Sequence, residues 1–298
     1  VEPELTEYIA RELRHFAEKP LISVLIPVYN TRPEWLGMAI DSVKRQWYEN
    51  WEICIADDHS DDAATLEYLE RLDHPRIRIT RLATNSNIAH ASNAALRMAR
   101  GEFVALLDHD DELTVDAFYE AVRAINLTGA DVVYSDEDKI DRNGKFVEPH
   151  FKPDYAPDMV LSQNYMSHLG VIRKSLVDGV GGFTPGTDGA QDYDLYLKVL
   201  ECTDRVAHIP KVLYHWRKVP GSTAAVFSDK SYAQDAGAVA LGHTIERRGL
   251  DARVEAGRLP GTYRVRCAIR GGAAIGRTVR DRVRLPDPSW RIRAVSPR

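Results

Sequence analysis

Residues 103–113 read F-V-A-L-L-D-H-D-D-E-L, five apolar residues running straight into a cluster of acids. A short unbroken apolar run suits a strand buried on both faces, as in a helix-covered parallel sheet. The acids then sit just past its carboxyl end, where open α/β sheets bind ligands. Asp108, Asp110 and Asp111 lie within four residues, and like charges that close raise one another's pKa unless a cation or hydrogen-bond donors compensate them. A divalent metal is an economical compensator, and carboxylate oxygens suit Mg2+ or Mn2+. Asp111 or Thr114 is expected to cap a helix beginning near Val115. One cap uses one acceptor, so capping leaves most of the cluster unexplained.

The pattern recurs along the chain. Residues 3–18 place Leu5, Tyr8, Ile9, Leu13 and Phe16 on one helical face. Leu21 to Val28 reads as a buried strand closing on Tyr29 and Asn30. Pro33 then stands at a first helical position, with Leu36, Ala39, Ile40 and Val43 at helical spacing. Trp51 to Ala56 is a second strand, ending in Asp57-Asp58-His59-Ser60-Asp61-Asp62. One of Ser60, Asp61 and Asp62 should cap the helix carrying Leu66, Leu69 and Leu72, while Asp57 and Asp58 come too early to do so. A strand over Ile77 to Leu82 and a helix over about Ala89 to Arg100 lead back to the Phe103 strand. Such alternation predicts a doubly wound, largely parallel α/β sheet through residue 136.

With 298 residues, 44% hydrophobic and 28% charged, the chain can bury one large core or two small ones. A net charge of -5 gives no nucleic-acid footprint. No apolar run is long enough to span a membrane and no export signal is visible. Cys54, Cys202 and Cys267 fit no zinc or redox spacing, so reduced thiols and a cytoplasmic location are expected. Neither G-x-G-x-x-G nor G-x-x-x-x-G-K-[ST] occurs in a βα turn, which disfavours dinucleotide-binding dehydrogenases and P-loop enzymes. Acids at strand tips can hydrogen-bond a base edge or ribose and, through a metal, hold a diphosphate. The residues point to a metal-dependent site for a phosphorylated ligand, a nucleotide being favoured.

I-S-V-L-I-P-V-Y-N at 22–30, I-A-D-D-H-S-D at 55–61 and L-L-D-H-D-D at 106–111 resemble, in this order and spacing, family-two inverting glycosyltransferases of GT-A fold. The resemblance covers about residues 20–225. It implies a doubly wound, mostly parallel central sheet flanked by helices, with a small antiparallel acceptor-side part. A nucleotide-sugar-binding half (21–136) would follow a helix over 1–20, and an acceptor-binding, catalytic half (137–250) would precede an Arg-rich tail (251–298). Asp58 would pair with the base, Asp108 approach the ribose or sugar, and Asp110 of the D-x-D bind Mn2+ or Mg2+ on the diphosphate. Pro27, Tyr29, Asn30, Asp57, Asn87, His109 and Arg217 complete the expected nucleotide-sugar side.

In the second half, Asp131 to Asp136 is a strand followed by Glu137, Asp138 and a hairpin-like turn at Asn143-Gly144. Y-S-D-E-D-K-I-D, H-F-K-P-D-Y-A-P-D and S-Q-N-Y are similar to a subgroup that builds bacterial cell-surface polysaccharides, rhamnan-type and O-antigen chains among them. That implies a glycan or lipid-linked glycan acceptor and makes dTDP-rhamnose a candidate donor. G-G-F at 181–183 and Q-D-Y-D-L at 191–195 resemble the family's G-G-F and E-D-x-D segments, Gln191 replacing the usual acid. The resemblance assigns the general base to Asp192. Capping of a helix over 193–200 is its alternative role, and Asp136, Glu137 and Asp138 are its competitors. Arg205 to Trp216 reads as a strand pair broken at Pro210. His215 is the candidate further metal ligand, a core or surface histidine being the alternative, and Arg217 and Lys218 suit diphosphate oxygens. Residues 219–228 have the composition of a loop that closes over donor, and a helix over 229–248 should end at Gly249. From residue 253 onward there are twelve Arg and no Lys. Such a strip could meet anionic lipid headgroups in peripheral membrane contact, or a pyrophosphate-linked acceptor, or be disordered or part of a further domain; residues 261–266 suit one last strand. A sugar nucleotidyltransferase and a catalytically inactive sugar-binding domain are the other readings.

Overall fold

In the computed structural model, which describes residues 3–218 and 231–268, the apolar runs become the centre of a nine-stranded sheet. Helix α1 (Pro3–His15) precedes β1 (Ile22–Val28), α2 (Pro33–Lys44), β2 (Trp51–Asp57), α3 (Ala63–Arg71), β3 (Ile77–Arg81), α4 (Ile88–Met98) and β4 (Phe103–Leu106). There follow β5 (Glu112–Leu113), α5 (Ala117–Thr128), β6 (Val132–Ile140), β7 (Phe146–His150), α6 (Pro157–Val160), β8 (Gly170–Arg173), α7 (Lys174–Gly179), α8 (Gln191–Val199) and β9 (Val206–Arg217). The last elements are α9 (Ser231–Arg247), β10 (Ala252–Ala256) and β11 (Tyr263–Cys267).

The main path runs β3-β2-β1-β4-β8-β6-β9-β5, with β7 beside β6. The strands β3-β2-β1-β4 are joined by parallel ladders, and β6 and β9 share their direction. β5, β7 and β8 run the other way, so the sheet is mostly parallel, as expected. Every residue of β1 and β2 is buried, which is why both are mainly apolar along their whole length. Ile22, Val24, Ile26 and Val28 face a core layer with Leu36, Ile40 and Phe118, while Leu25 faces Ala91, Leu195 and Leu241 on the other side. Helices thus cover both faces, the doubly wound arrangement. Burying each such side chain contributes about 1.5–3 kcal/mol. Gly101 enters β4 where an added Cβ would lie 2.4 Å from the Leu21 carbonyl oxygen, a close approach that only glycine allows.

The structure departs from the sequence expectations in two places and decides between alternatives in two more. Neither Asp111 nor Thr114 caps α5: the helix begins at Ala117, because Glu112 and Leu113 pair with His215 and Tyr214 of β9 and draw Leu113 into the core. The predicted strand pair at 205–216 is one strand. Its register against β6 jumps from Ser135↔Ile209 to Asp136↔Val212, so Pro210 is carried in a bulge rather than a break. Asp192 does not cap α8, which starts one residue before it without a side-chain cap. The start of the tail is folded, β10 and β11 forming an antiparallel pair that includes the expected last strand. The predicted closing loop at 219–228 and the tail beyond 268 lie outside the described residues.

Candidate functional site

β1, β2 and β4 end side by side, and the turns leaving them floor a cleft of about 1140 Å³. Pro27, Tyr29, Asp58, Asn87, Asp108 and His109 line it from this side, and Asp192, on the first turn of α8, lines it from the other. The turns are tight: Asn30, His59 and Asn87 have φ of 48°, 63° and 70°, and asparagine tolerates that region better than most residues.

Asn30 and Asp57 serve the turns and do not line the cleft. Asn30 donates to Asp61 at 2.7 Å and accepts from the Asp61 and Asp62 amides, tying the end of β1 to the start of α3. Asp57 accepts from Ser60 N–H at 3.0 Å and pairs with Arg81 at 3.2 Å. Asp62 caps α3 through Thr65 N–H at 2.8 Å. Asp58 is different. Its Oδ1 accepts from Ser86 N–H at 2.8 Å, and burial raises its carboxyl above the ordinary range despite the Ser86 and Asn87 amides.

At the end of β4, Asp108, Asp111 and His168 offer ligand atoms that all lie within 4.8 Å of one another. Asp111 is wholly buried and accepts from Tyr214 O–H at 2.6 Å and Arg217 N–H at 2.7 Å. Burial pushes the Asp111 carboxyl well up, and the charges of Asp110 and Asp108 push it further. Asp108 is raised by burial and by Asp110, with His168 opposing. The His168 imidazole stacks on Tyr214, its Nδ1 lies 3.2 Å from Glu137, and its Nε2 lies 3.9 Å from Asp108. Burial disfavours charge on this ring, but the hydrogen bond and charge of Glu137, with Asp108 and Asp111, raise it to about 9. The two carboxylates and the imidazole could together hold a metal ion, the imidazole ligating once it has lost its proton.

Other residues chosen from the sequence stand just outside this cleft. The Asp110 carboxylate lies 3.6 Å from His109 Nδ1, and its backbone oxygen accepts from Arg217 Nε at 2.7 Å. The Arg217 guanidinium also pairs with Glu112 and is buried. Lys218 pairs with Glu148. His215 is bound to Asp138 at 2.5 Å and stacks on Phe146, so the imidazole brought to the acids is His168.

Among the competing bases, Asp136 accepts from His208 at 2.8 Å and from Lys152 N–H at 2.9 Å, away from the cleft. Glu137 does line the cleft, but it meets the buried Lys152 ammonium at 3.1 Å as well as His150 and His168. Burial would raise the Glu137 carboxyl; these partners hold it well below the usual range. Asp192 instead accepts, among the described residues, from one neutral donor, Asn164 Nδ2, at 2.7 Å. Asp194, one turn inside, pairs with Lys198 at 2.9 Å and accepts from Thr184 O–H, bracing the G-G-F turn. In that turn Gly182 has φ of 70°, and a Cβ there would meet Asn93 Oδ1 at 2.4 Å, the atom that accepts from Phe183 N–H. Lys152 and Asn164 fall inside the H-F-K-P-D-Y-A-P-D and S-Q-N-Y segments, which the sequence flagged without giving them a role, whereas His168 was missed, since a lone His in a mixed segment carries no spacing signal.

Residues 23–184 match the family described as Glycosyl transferase family 2. The chain is 33% identical over 277 residues to the O-antigen biosynthesis protein RfbC of Myxococcus xanthus, covering 91% of this chain and 21% of that one. It spans less than a third of the length of the first curated relatives it matches, 29% of an uncharacterized Sinorhizobium fredii protein and 21% of RfbC. In fold it is similar to S. aureus TarS 1-349 in complex with UDP-GlcNAc, with a TM-score of 0.58 and 22% identity over 75% of this chain and 69% of that one. It is likewise similar to the mannosyltransferase PcManGT of Pyrobaculum calidifontis in complex with GDP-Man and Mn2+, with a TM-score of 0.58 and 19% identity over 82% and 71% of the two chains.

Proposed function

The chain belongs to glycosyl transferase family 2, and on that premise we propose that it is an inverting, metal-dependent enzyme moving a sugar from a nucleoside diphosphate to a hydroxyl of a growing cell-surface glycan. The observation that carries this reading is the placing of Asp58, the Asp108 cluster and Asp192 around one cleft. Asp58 accepts from the base edge, which favours the N3–H of uracil or thymine; dTDP-rhamnose is one candidate donor. Asp108, Asp111 and, in its neutral form, His168 offer the clustered ligand atoms, and Asp110 joins them through the D-x-D resemblance; a divalent cation held there would supply positive charge to the departing diphosphate. Asp192 takes the proton of the attacking hydroxyl. Attack from the face opposite the diphosphate then inverts the anomeric carbon in one displacement. Asp192 is the better base than Glu137, whose charge is already committed to Lys152 and two histidines.

The bound nucleotide sugars and Mn2+ of the two structural neighbours and the relation to RfbC support this reading. A cytoplasmic reaction, beside the membrane if the Arg-rich tail meets anionic lipid, belongs to the same proposal. Among the described residues no helix is long and apolar enough to cross a membrane.

A panel of nucleotide sugars incubated with the protein and Mn2+ tests the proposal. Release of UDP or dTDP with inverted product is expected. Pyrophosphate formation would indicate a nucleotidyltransferase, and silence across the panel an inactive domain.

A further inference from the structure

Asn164 sits in a loop held from two sides, by the chain entering β11 and by α8. Ser162 O accepts from Tyr263 N–H at 2.7 Å, Gln163 bridges to Thr262, and Ser167 O accepts from Tyr196 O–H at 3.0 Å. Gln234 of α9 steadies the chain entering β11 in turn, donating to Thr262 O at 3.0 Å and accepting from Gly261 N–H at 2.5 Å. Within the loop, Ser167 N–H donates to Asn164 Oδ1 at 3.3 Å, which fixes the amide's orientation. The other end of that amide donates to Asp192 Oδ2 at 2.7 Å, and both residues line the cleft.

We propose that Asn164 is a positioning residue for Asp192: its amide pins one carboxylate oxygen so that the other faces the attacking hydroxyl. The inference rests on the reading of Asp192 as general base. A neutral donor suits this task. It restricts the carboxylate's rotation while leaving its negative charge intact, whereas a lysine or arginine there would neutralise the charge that must accept the proton. The hydrogen bonds from Tyr263 and Gln234 make the segment around β11 part of this support. That segment lies beyond the matched residues 23–184, as does Asp192 itself.

The test is a double-mutant cycle on the nucleotide sugar of the panel that the wild-type protein hydrolyses fastest with Mn2+, water being the acceptor. Asn164→Ala should bind UDP or dTDP as the wild type does by calorimetry and keep its KM for donor, while kcat falls about tenfold, the scale of one hydrogen bond to a charged group. Asn164→Asp, which keeps the shape but sets a second carboxylate against Asp192, should fall at least as far. The pair Asn164→Ala/Asp192→Asn should be no slower than Asp192→Asn alone, because a residue acting through another adds nothing once that other is gone. Wild-type kcat in Asn164→Ala, or losses that multiply in the double variant, would overturn the inference. Undiminished kcat in Asp192→Asn would instead remove the base assignment, and this inference with it.

Discussion

The two halves of the sheet are built from different chemistry. In β3-β2-β1-β4 the ladders are parallel and the buried side chains of β1 and β2 are mainly apolar, Ser23 bonded to Glu52 at 2.7 Å being one exception. Around β8-β6-β9-β5 the interior holds Asp111, Asp136, Glu137, Asp138, Lys152 and Arg217. Apolar burial tolerates substitutions of similar volume. A buried charge tolerates little, because removing one partner leaves the other unpaired in a low dielectric. The first half is therefore a platform that presents turns, and the second a network that fixes charged groups opposite them.

The largest expected effect joins both halves. Excess chelator should abolish turnover and Mn2+ should restore it, and Asp110→Ala should lose several kcal/mol of transition-state stabilisation with the fold intact. Full activity in chelator would remove the metal, and unchanged activity of Asp110→Asn would shift its binding to Asp108, Asp111 and His168. Next comes Asp192→Asn, expected to lower kcat by about a hundredfold to ten-thousandfold while donor affinity holds. If instead Glu137→Gln is inactive and Asp192→Asn is not, the base belongs to β6.

Stability measurements sharpen the contrast further. Ile26→Ala in the platform should cost about 2–5 kcal/mol in denaturant unfolding. Lys152→Met should cost about 3–5 kcal/mol, leaving Glu137 and the Met166 and His168 carbonyls without the ammonium. Pairing it with Glu137→Leu should recover most of that stability but not turnover, since His168 loses its support; a fully active double variant would show the network to be structural only. The smallest effect concerns acid. Burial opposes charge on Asp131, but Thr203, Arg173 and Arg205 together hold its carboxyl below the ordinary range. Its folded value is depressed, so its stabilisation is present above the unfolded value of about 3.9 and is lost as pH falls further. The stability gap between wild type and Asp131→Asn should thus shrink below about pH 4. A gap that widens there would reverse the assignment.

The same contrast explains what could be read in advance. β1, β2 and β4 announce themselves because a strand buried on both faces is mainly apolar, and their tips followed at once, with Asp58 and Asp108 lining the cleft. Asp192 was reached through a motif. The partners of the acids were out of reach: Tyr214 meets Asp111 from 103 residues away and Lys152 meets Glu137 from 15, and no local period encodes such pairings. His215 was chosen through the family resemblance and Arg217 by residue type, but β9 turns His215 toward Asp138 and Phe146 and commits Arg217 to Glu112. Pro210 suggested a break because proline cannot donate to a ladder, and a bulge satisfies the same constraint without ending the strand.

The pairing of β5 with β9 has a consequence in time. Asp111 lies on the first half of the chain, yet both of its donors, Tyr214 and Arg217, arrive on β9. Until β9 docks, that carboxylate has no donor from β9 and must remain hydrated. Contacts so distant in sequence form late, after the local βα units. The floor of the cleft is therefore expected to assemble late in folding, however early the parallel strands appear. In a refolding experiment, recovery of nucleotide binding should trail the far-ultraviolet circular dichroism signal; simultaneous recovery would mean that β9 docks with the nucleus.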